Sequence, residues 1–171
     1  MIPDDVVVVR ADLESATARA LIAELNAELS ALYPEQGANH FRLDPDEVAH
    51  GRGAFLVASR RGAAVGCGAV RRIGDGVGEI KRMFVVRADR GRGAGRAILA
   101  ALEREARALG LSRLCLETGV RQTVAMVLYE RAGFSRVEPY GEYIGSPLSV
   151  CLAKQLSHAE GAEDAEARLR N

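Results

Sequence analysis

In this sequence of 171 residues, lysine, net charge and long hydrophobic runs are scarce or missing, although each would point to a specialised class of protein. Lysine is rare, since Lys81 and Lys154 are the only two, and nearly all the positive charge is arginine. The charges also cancel, with 23 Lys+Arg against 23 Asp+Glu. A chain without net positive charge gives no reason to expect a polyanionic partner. We therefore predict no nucleic-acid binding, and expect any bound anion to be held by a local cluster.

Long hydrophobic runs are also missing. No apolar run approaches the roughly 20 residues that a membrane-spanning helix needs. The N-terminal stretch MIPDDVVVVR begins acidic and lacks a basic segment ahead of a long apolar core, so no secretory signal is visible. These absences predict a cytoplasmic protein without membrane association.

Cysteine is present, but not at metal-binding spacing. Cys67, Cys115 and Cys151 are isolated within apolar segments, with no CxxC or Cys/His pattern around them. Zinc and iron–sulfur centres require clustered ligands. We predict buried free thiols in a reducing compartment and no metal site.

What is present fits an ordinary globular domain. Apolar residues make up 48% of the chain, and the length suits one domain. We place this domain at residues 1–156. The remaining residues, 157–171, are charged and alanine-rich, and we interpret them as a disordered tail or a frayed helix.

The apolar pattern predicts a mixed sheet. A valine-rich strand (Val6–Arg10) precedes an amphipathic helix (Leu13–Tyr33) with Asp12 as its N-cap. Three strands joined by hairpin-length turns follow, so they are antiparallel. The segment Glu79–Gly119 has the pattern strand, helix, strand, and is long enough for one parallel crossover. With a short helix (Gln122–Ala132) and two last strands, the expected fold is α/β (α+β), with about seven strands and about four helices.

The stretch VVRADRGRGAGRAILAAL (85–102) concentrates arginine and glycine between a strand and a helix. Free backbone N–H groups at a helix N-terminus favour a bound anion, typically phosphate. Glycines let the backbone approach that ligand, and arginines add charged donors. The predicted phosphate-binding residues are Arg90, Gly91, Arg92, Gly93, Ala94, Gly95 and Arg96.

The loop alone does not identify the ligand that carries the phosphate, and a dinucleotide is one candidate. A dinucleotide fingerprint GxGxxG would need a third glycine where Arg96 stands, although the acidic Glu117 does lie about 20 residues further on. The loop also follows antiparallel hairpins, whereas a dinucleotide-binding unit begins a parallel sheet. A Walker A loop is excluded because no Gly-Lys-Ser/Thr follows.

The loop sequence RGRGAG (90–95) fits the Q/R-x-x-G-x-G/A signature of the GNAT N-acetyltransferases. The chain resembles this family from about Val6 to Leu156, most strongly over Glu79–Phe134. There EIKRMFVV, the loop, AILAALEREARALG, LCLETG and LYERAGF occur in family order. The resemblance implies an acetyl-CoA-dependent N-acetyltransferase that acts by direct attack of an amine in a ternary complex. It also suggests a homodimer.

The same resemblance assigns a donor site. The loop would wrap the pyrophosphate of acetyl-CoA, while Met83, Phe84 and Val85 would offer their backbone, at a bulge, to the pantetheine and acetyl carbonyl. Gln122 stands where the family often has asparagine, and would hydrogen-bond the pantetheine. Tyr129 would protonate the leaving thiolate.

Two carboxylates are candidates for the general base that deprotonates the amine. Glu79 lies eleven residues before Arg90, the spacing at which some histone-acetylating members of the family carry a catalytic glutamate. Its alternative role is a sheet-face ion pair with an arginine such as Arg82. Glu117 is the second candidate, because the resemblance implies that its strand ends beside the cleft that holds the pantetheine. Its alternative role is a structural ion pair.

The acceptor is expected to enter between the segments Tyr33–Gly53 and Glu138–Pro147. The second segment supplies an acidic, aromatic lip that suits a cationic amine, whereas His40, Arg42 and Arg52 in the first suit a carboxylate. A small-molecule amine or amino-acid-like acceptor is our first prediction, and a protein N-terminus or lysine our second. A non-enzymatic acyl-CoA sensor and a nucleotide-binding module are the alternatives of a different class.

Overall fold

The computed structural model describes residues 5–38 and 42–157. Its strands are β1 (Val6–Arg10), β2 (Gly53–Arg60), β3 (Ala63–Gly74), β4 (Val77–Val85), β5 (Arg113–Gly119), β6 (Ser135–Val137) and β7 (Ser149–Gln155). Its α-helices are α1 (Ala16–Leu32), α2 (Ala94–Ala108) and α3 (Thr123–Arg131). Short 3₁₀ turns occur at Pro45–Val48, Arg87–Asp89 and Gly141–Tyr143. Apart from Ser157, the predicted C-terminal tail lies outside the described residues.

The seven strands form one sheet in the order β1-β2-β3-β4-β5-β7-β6. Strands β1 to β4 are antiparallel neighbours, β4 and β5 are parallel, and β7 pairs antiparallel with both β5 and β6. The predicted mixed sheet with one parallel crossover is therefore confirmed. The described residues contain three α-helices rather than about four, because the remaining helical signals form single 3₁₀ turns.

Helices cover both faces of the sheet. Alternate strand residues point to opposite faces, so Leu114, Leu116 and Leu152 pack with Ile98 and Leu102 of α2 on one side. On the other side α1 packs on a second cluster, formed by Ala18, Leu21, Leu25, Phe55, Val57, Cys67, Ala69 and Phe84. Each fully buried leucine or phenylalanine contributes about 1.5–3 kcal/mol. The two clusters fix the sheet between its helices.

Helix α1 begins three residues later than predicted from its Asp12 cap. The Ser15 hydroxyl is the N-cap acceptor and receives the Ala18 N–H at 3.2 Å. Asp12 instead accepts the Glu14 N–H at 2.9 Å, which closes a local turn before the helix. Both residue types favour caps, and the turn at Asp12 leaves Ser15 to start the helix.

A bulge interrupts β4 at Arg82 and Met83. Cys67 of β3 faces Phe84 and Ala69 faces Lys81, so one β3 residue stands opposite two on β4. Arg82 adopts φ +57, which is unusual for a residue other than glycine. The pairing of β4 with β5 covers only Val77–Ile80. Beyond Ile80 the two strands part, and this fork positions the site described below.

The three cysteines are free and buried, as the sequence predicts. Burial raises the pKa of the Cys67 thiol to about 12. Within the described segments, no helix combines the length and apolarity needed to cross a membrane.

Candidate active site

A cleft opens where β4 and β5 part, and we call it the fork cleft. Helix α1, the bulged half of β4, the end of β5 and the start of α3 form its walls. Its lining residues include Leu25, Tyr33, Ile80, Lys81, Met83, Glu117, Thr118, Gln122, Tyr129 and Tyr143. Four residues of the predicted site, Met83, Glu117, Gln122 and Tyr129, thus meet in one cleft.

Tyr129 lies at the base of the fork on α3. Its side chain is 6% exposed, and its ring contacts the edge of Phe134 with centroids 6.0 Å apart. No described residue hydrogen-bonds its hydroxyl, although the side chain lines the cleft. Burial, assisted by the charge of Glu117, raises the pKa of Tyr129. The phenol therefore keeps its proton at neutral pH and can donate it into the cleft.

The side-chain oxygen of Gln122 is hydrogen-bonded within the protein, whereas its NH₂ group is not bonded to any described residue. Its oxygen accepts the Gly119 N–H at 2.9 Å and the Thr118 hydroxyl at 3.3 Å. The amide NH₂ has no partner among the described residues, so it is available to donate to a ligand carbonyl. The predicted hydrogen bond from Gln122 to a ligand stays a prediction, for which this NH₂ group is available.

The end of α1 is fastened over the cleft by contacts that we call the α1 clasp. Tyr33 Oη accepts the Arg121 N–H at 2.9 Å. The Arg121 guanidinium pairs with Glu35, donates to the Leu32 carbonyl at 3.0 Å and lies over the Tyr33 ring. Gly119 makes room for this arrangement, because a Cβ there would overlap the Tyr33 phenol.

The glycine loop leads from β4 into α2. Gly91 and Gly93 adopt φ +78 and +89, and Gly93 is the N-cap of α2. A Cβ at either position would meet no other atom, so positive φ rather than crowding explains the two glycines. The backbone N–H groups without an acceptor in the described parts of the chain are those of Gly91, Gly93, Ala94, Gly95 and Arg96. This set of donors at a helix N-terminus fits a phosphate group.

The three arginines of the loop differ in their surroundings. Arg90 makes a bidentate pair with Glu28 of α1, at 2.9 and 2.6 Å, and donates to the Val85 carbonyl at 2.9 Å. Arg92 lies 3.4 Å from Asp89 and is half-exposed. Arg96 is exposed on the first turn of α2. Arg90 thus fastens α1 to the end of β4 with three of its five N–H donors.

Ala94 and Gly95 belong to α2 rather than to the loop. Ala94 is 1% exposed, so its side chain packs in the core. A Cβ on Gly95 would stand 3.2 Å from Leu128, so this glycine lets α2 approach α3 closely. These two residues can therefore offer a ligand their backbone N–H groups and no side-chain donor.

A buried ion pair that the sequence does not predict lies beneath the loop. Arg60 donates to Asp89 at 2.9 Å, with 6% and 4% of the two side chains exposed. Arg60 also donates to the Arg92 carbonyl at 3.0 Å. The two residues are 29 positions apart on different elements, and no local pattern links them.

Glu79 lies outside the fork cleft, in a network of its own. Its side chain is 2% exposed, and Arg71 and Tyr140 donate to its two oxygens, at 2.8 and 2.6 Å. Arg71, its cross-strand neighbour, is therefore the ion-pair partner, rather than Arg82, which donates to Asn26. Glu117 is half-buried and lines the fork cleft near Tyr129.

Phe84 and Val85 are placed differently from Met83. The Phe84 side chain packs in the α1-side core, and the Val85 carbonyl receives Arg90. Their backbone follows the bulge, on the part of β4 that has no β5 partner. Neither residue lines the fork cleft, so a role for their backbone in ligand binding stays a prediction.

A second cavity, which we call the outer cavity, adjoins the fork cleft on the α1 side. Its volume is about 540 Å³. Its lining comes from the 3₁₀ turn Pro45–Val48, the sheet and the loop after β6, and includes Arg42, Asp44, Glu47, Arg71, Glu79, Lys81, Tyr140, Glu142 and Tyr143. Lys81 and Tyr143 line both cavities. The predicted acceptor segments do meet here, but Arg52 and Glu138 are not lining residues, and His40 lies outside the described residues.

Comparison with known proteins assigns the family. The Acetyltransferase (GNAT) family profile matches residues 18–134. An IAA acetyltransferase of Azospirillum brasilense is 47% identical over 137 residues, which is 80% of this chain and 88% of that protein. An uncharacterized N-acetyltransferase of Bacillus subtilis, YsnE, is 28% identical over 84% of this chain and 97% of its own length.

Solved structures of acetyltransferases and acyltransferases resemble this fold. A Klebsiella pneumoniae structure assigned to the acyl-CoA N-acyltransferases superposes with a TM-score of 0.75 at 35% identity, covering 89% of this chain and 98% of its own. A GNAT acetyltransferase of Elizabethkingia anophelis with acetyl-CoA bound has a TM-score of 0.64 at 17% identity, covering 90% and 99%. The second likeness concerns the fold alone. This chain belongs to the GNAT acetyltransferase family and is an acyltransferase.

Proposed function

We propose that this protein transfers the acetyl group of acetyl-CoA to the primary amine of a small molecule, by direct attack in a ternary complex. The observation that carries the proposal is the fork between β4 and β5. Strand β4 runs from this fork, where Tyr129 keeps its proton, to a helix N-terminus whose N–H groups lack acceptors among the described residues, and the cleft adjoins a second cavity. Donor and acceptor would meet where the two cavities adjoin.

The donor side fits acetyl-CoA, which supplies an activated thioester acetyl group when bound. The N–H groups of Gly91, Gly93 and Arg96 would hold the pyrophosphate, with Arg92 and Arg96 as charged donors. Arg90 would act by fixing α1 and the loop rather than by touching phosphate. Gln122 would donate to a pantetheine carbonyl.

Two groups of the chain would assist transfer. A backbone N–H of the unpaired β4 segment near Val85 would stabilise negative charge on the acetyl oxygen. Tyr129 would donate its proton to the departing sulfur. Its raised pKa keeps that proton in place until the sulfur becomes basic enough to accept it.

Of the two carboxylates, we propose Glu117 as the general base and Glu79 as a positioning residue. Glu117 shares the fork cleft with Tyr129, so it is near the site of transfer. Both oxygens of Glu79 already accept hydrogen bonds, from Arg71 and Tyr140. Glu79 would therefore hold one wall of the outer cavity instead of moving a proton.

Several features support a small-molecule acceptor. The outer cavity has the size of ordinary small-molecule pockets, about 300–1,000 Å³, and charged side chains line it. The Azospirillum brasilense relative is named for acetylation of IAA. A cytoplasmic location and a homodimer remain predictions from the sequence.

Free-thiol release from acetyl-CoA tests the proposal. The assay would compare a panel of small primary amines with peptides that carry a free N-terminus or lysine. Separate calorimetric titrations would measure the binding of acetyl-CoA and of NAD. We expect acetyl-CoA binding and turnover with small amines. Turnover with peptides alone would make the protein a protein acetyltransferase. Coenzyme binding without thiol release on the whole panel would favour an acyl-CoA sensor.

A further inference from the structure

Lys81 is a buried lysine at the junction of the two cavities. It lies on β4 directly before the bulge, and only 6% of its side chain is exposed. It lines both the fork cleft and the outer cavity. Lysine is rarely buried to this extent without a close partner, because removing an ammonium group from water is costly.

The ammonium group of Lys81 has no close partner among the described residues, although the charge of Glu79, two residues before it on β4, favours its charged form. Among the described residues it makes no hydrogen bond, and its one ion pair, to Glu142, is long at 3.9 Å. The Glu142 side chain is 52% exposed, so solvent screens this pair. By contrast, the other lysine, Lys154, donates to Glu103 and to the Ala132 carbonyl at 2.7 Å each.

The other cations of the outer cavity are neutralised at short distance. Arg71 pairs with both Glu47 and Glu79, and Arg42 lies 3.1 Å from Asp44. Among the described residues that line the outer cavity, Lys81 is therefore the buried cation without a close ion pair. A single compact ammonium suits a carboxylate, whereas larger polyanions are usually held by several cations or a fork of donors.

We propose that Lys81 binds a carboxylate of the acceptor, so that the preferred substrates are small amino acids with the carboxylate close to the amine. This inference rests on the proposed function. A carboxylate held at the junction would direct a neighbouring amino group toward Glu117 and Tyr129 in the fork cleft. Burial lowers the pKa of Lys81, and an added anion would favour its charged form.

The kinetic test uses amino acids and their carboxamides as matched acceptors. The pairs differ in the carboxylate but keep the amine and side chain. We expect the wild-type protein to prefer the acid by about 10- to 100-fold in kcat/KM, the range for a charge-assisted contact. Lys81→Met is expected to remove this preference through a raised KM for the acid, while turnover of the carboxamide persists. Lys81→Arg is expected to retain part of it.

Two further readouts separate this contact from a structural role. Removal of the buried charge in Lys81→Met is expected to leave the melting temperature unchanged or raised. Glu142→Gln removes the competing anion, and we expect it to lower the KM of the acid. A lowered melting temperature, with equal losses for acid and carboxamide, would make Lys81 structural and overturn the inference.

A binding experiment distinguishes failure of this inference from failure of the proposed function. N-acetylamino acids and their carboxamides are titrated into the protein in the presence of coenzyme A. Tighter binding of the acids, lost in Lys81→Met, would support the inference even without turnover. Equal affinities, or no binding of either, would overturn it. Turnover of carboxamides as fast as acids would overturn the Lys81 contact while leaving the transferase function intact.

Discussion

Arg60 donates to Asp89 at 2.9 Å beneath the glycine loop, and both side chains are almost completely shielded from water. Because Arg60 also holds the Arg92 carbonyl, the pair joins the end of β2 to the loop before α2. The shape of the anion-binding loop thus depends on a residue remote from it in sequence.

Asp89→Asn is expected to lower the free energy of unfolding by about 3–5 kcal/mol, because it leaves the Arg60 charge buried without a carboxylate. Urea denaturation measures this loss, and calorimetry with acetyl-CoA is expected to record weaker binding. Asp75→Asn, in an exposed turn, serves as the control and is expected to change stability by less than about 0.5 kcal/mol. Equal effects of the two variants would contradict the structural role of the pair.

Tyr129→Phe is expected to lower kcat by about 100-fold, the usual scale for loss of a general acid. The affinity for acetyl-CoA, measured by calorimetry, is expected to change little, because the ring and its contact with Phe134 remain. Since burial raises the pKa of Tyr129, its ionisation is not expected to limit activity between about pH 7 and 10. Wild-type turnover in the variant would remove Tyr129 as the acid.

The two candidate bases differ in their expected pH–rate profiles. Glu117→Gln is expected to abolish the acidic limb of kcat/KM, because it removes the group that accepts the amine proton. Glu79→Gln is expected to keep that limb and to raise KM, since it weakens the contacts with Arg71 and Tyr140 in the outer cavity. If Glu79→Gln lost the acidic limb and Glu117→Gln kept it, Glu79 would be the base.

Gly119→Ala is expected to destabilise the protein by about 1–3 kcal/mol, because the new methyl group would overlap Tyr33 and open the α1 clasp. Thermal unfolding measures this change. Gly74→Ala is the matched control, since a Cβ there would stand 4.0 Å from Val77 in ordinary contact. A melting temperature equal to that of the control would show that α1 adjusts freely.

The three thiols are expected to resist a disulfide reagent at pH 8 in the folded protein and to react fully in denaturant. All three are buried, and burial raises the pKa of Cys67 to about 12. Because the pKa in the unfolded chain is about 8.5, the unfolded state loses the proton first as pH rises. The thiol's contribution to stability is therefore complete below about pH 8.5 and declines toward pH 12. Rapid labelling of the native protein would contradict this burial.

The strands, the crossover and the glycine loop could be predicted because each has a local signal, in apolar period or turn residues. The partners of charged residues could not. Glu79 pairs with Arg71 because the β3–β4 register places them opposite each other, and this register depends on irregularities that the sequence does not mark. The burial of Lys81 likewise depends on two loops that are remote in sequence. The composition shows that lysine is rare, but it does not indicate a role for Lys81.

The parting of β4 from β5 also bears on aggregation. An unpaired strand edge can recruit another chain, and proteins usually protect such edges at the margins of a sheet. Here the exposed edge begins after Ile80, in the middle of the sheet, and the α1 clasp covers the approach to it. Because β4 and β5 stay joined over Val77–Ile80, the unpaired part of the edge is short, and we expect it to be a poor template for intermolecular pairing.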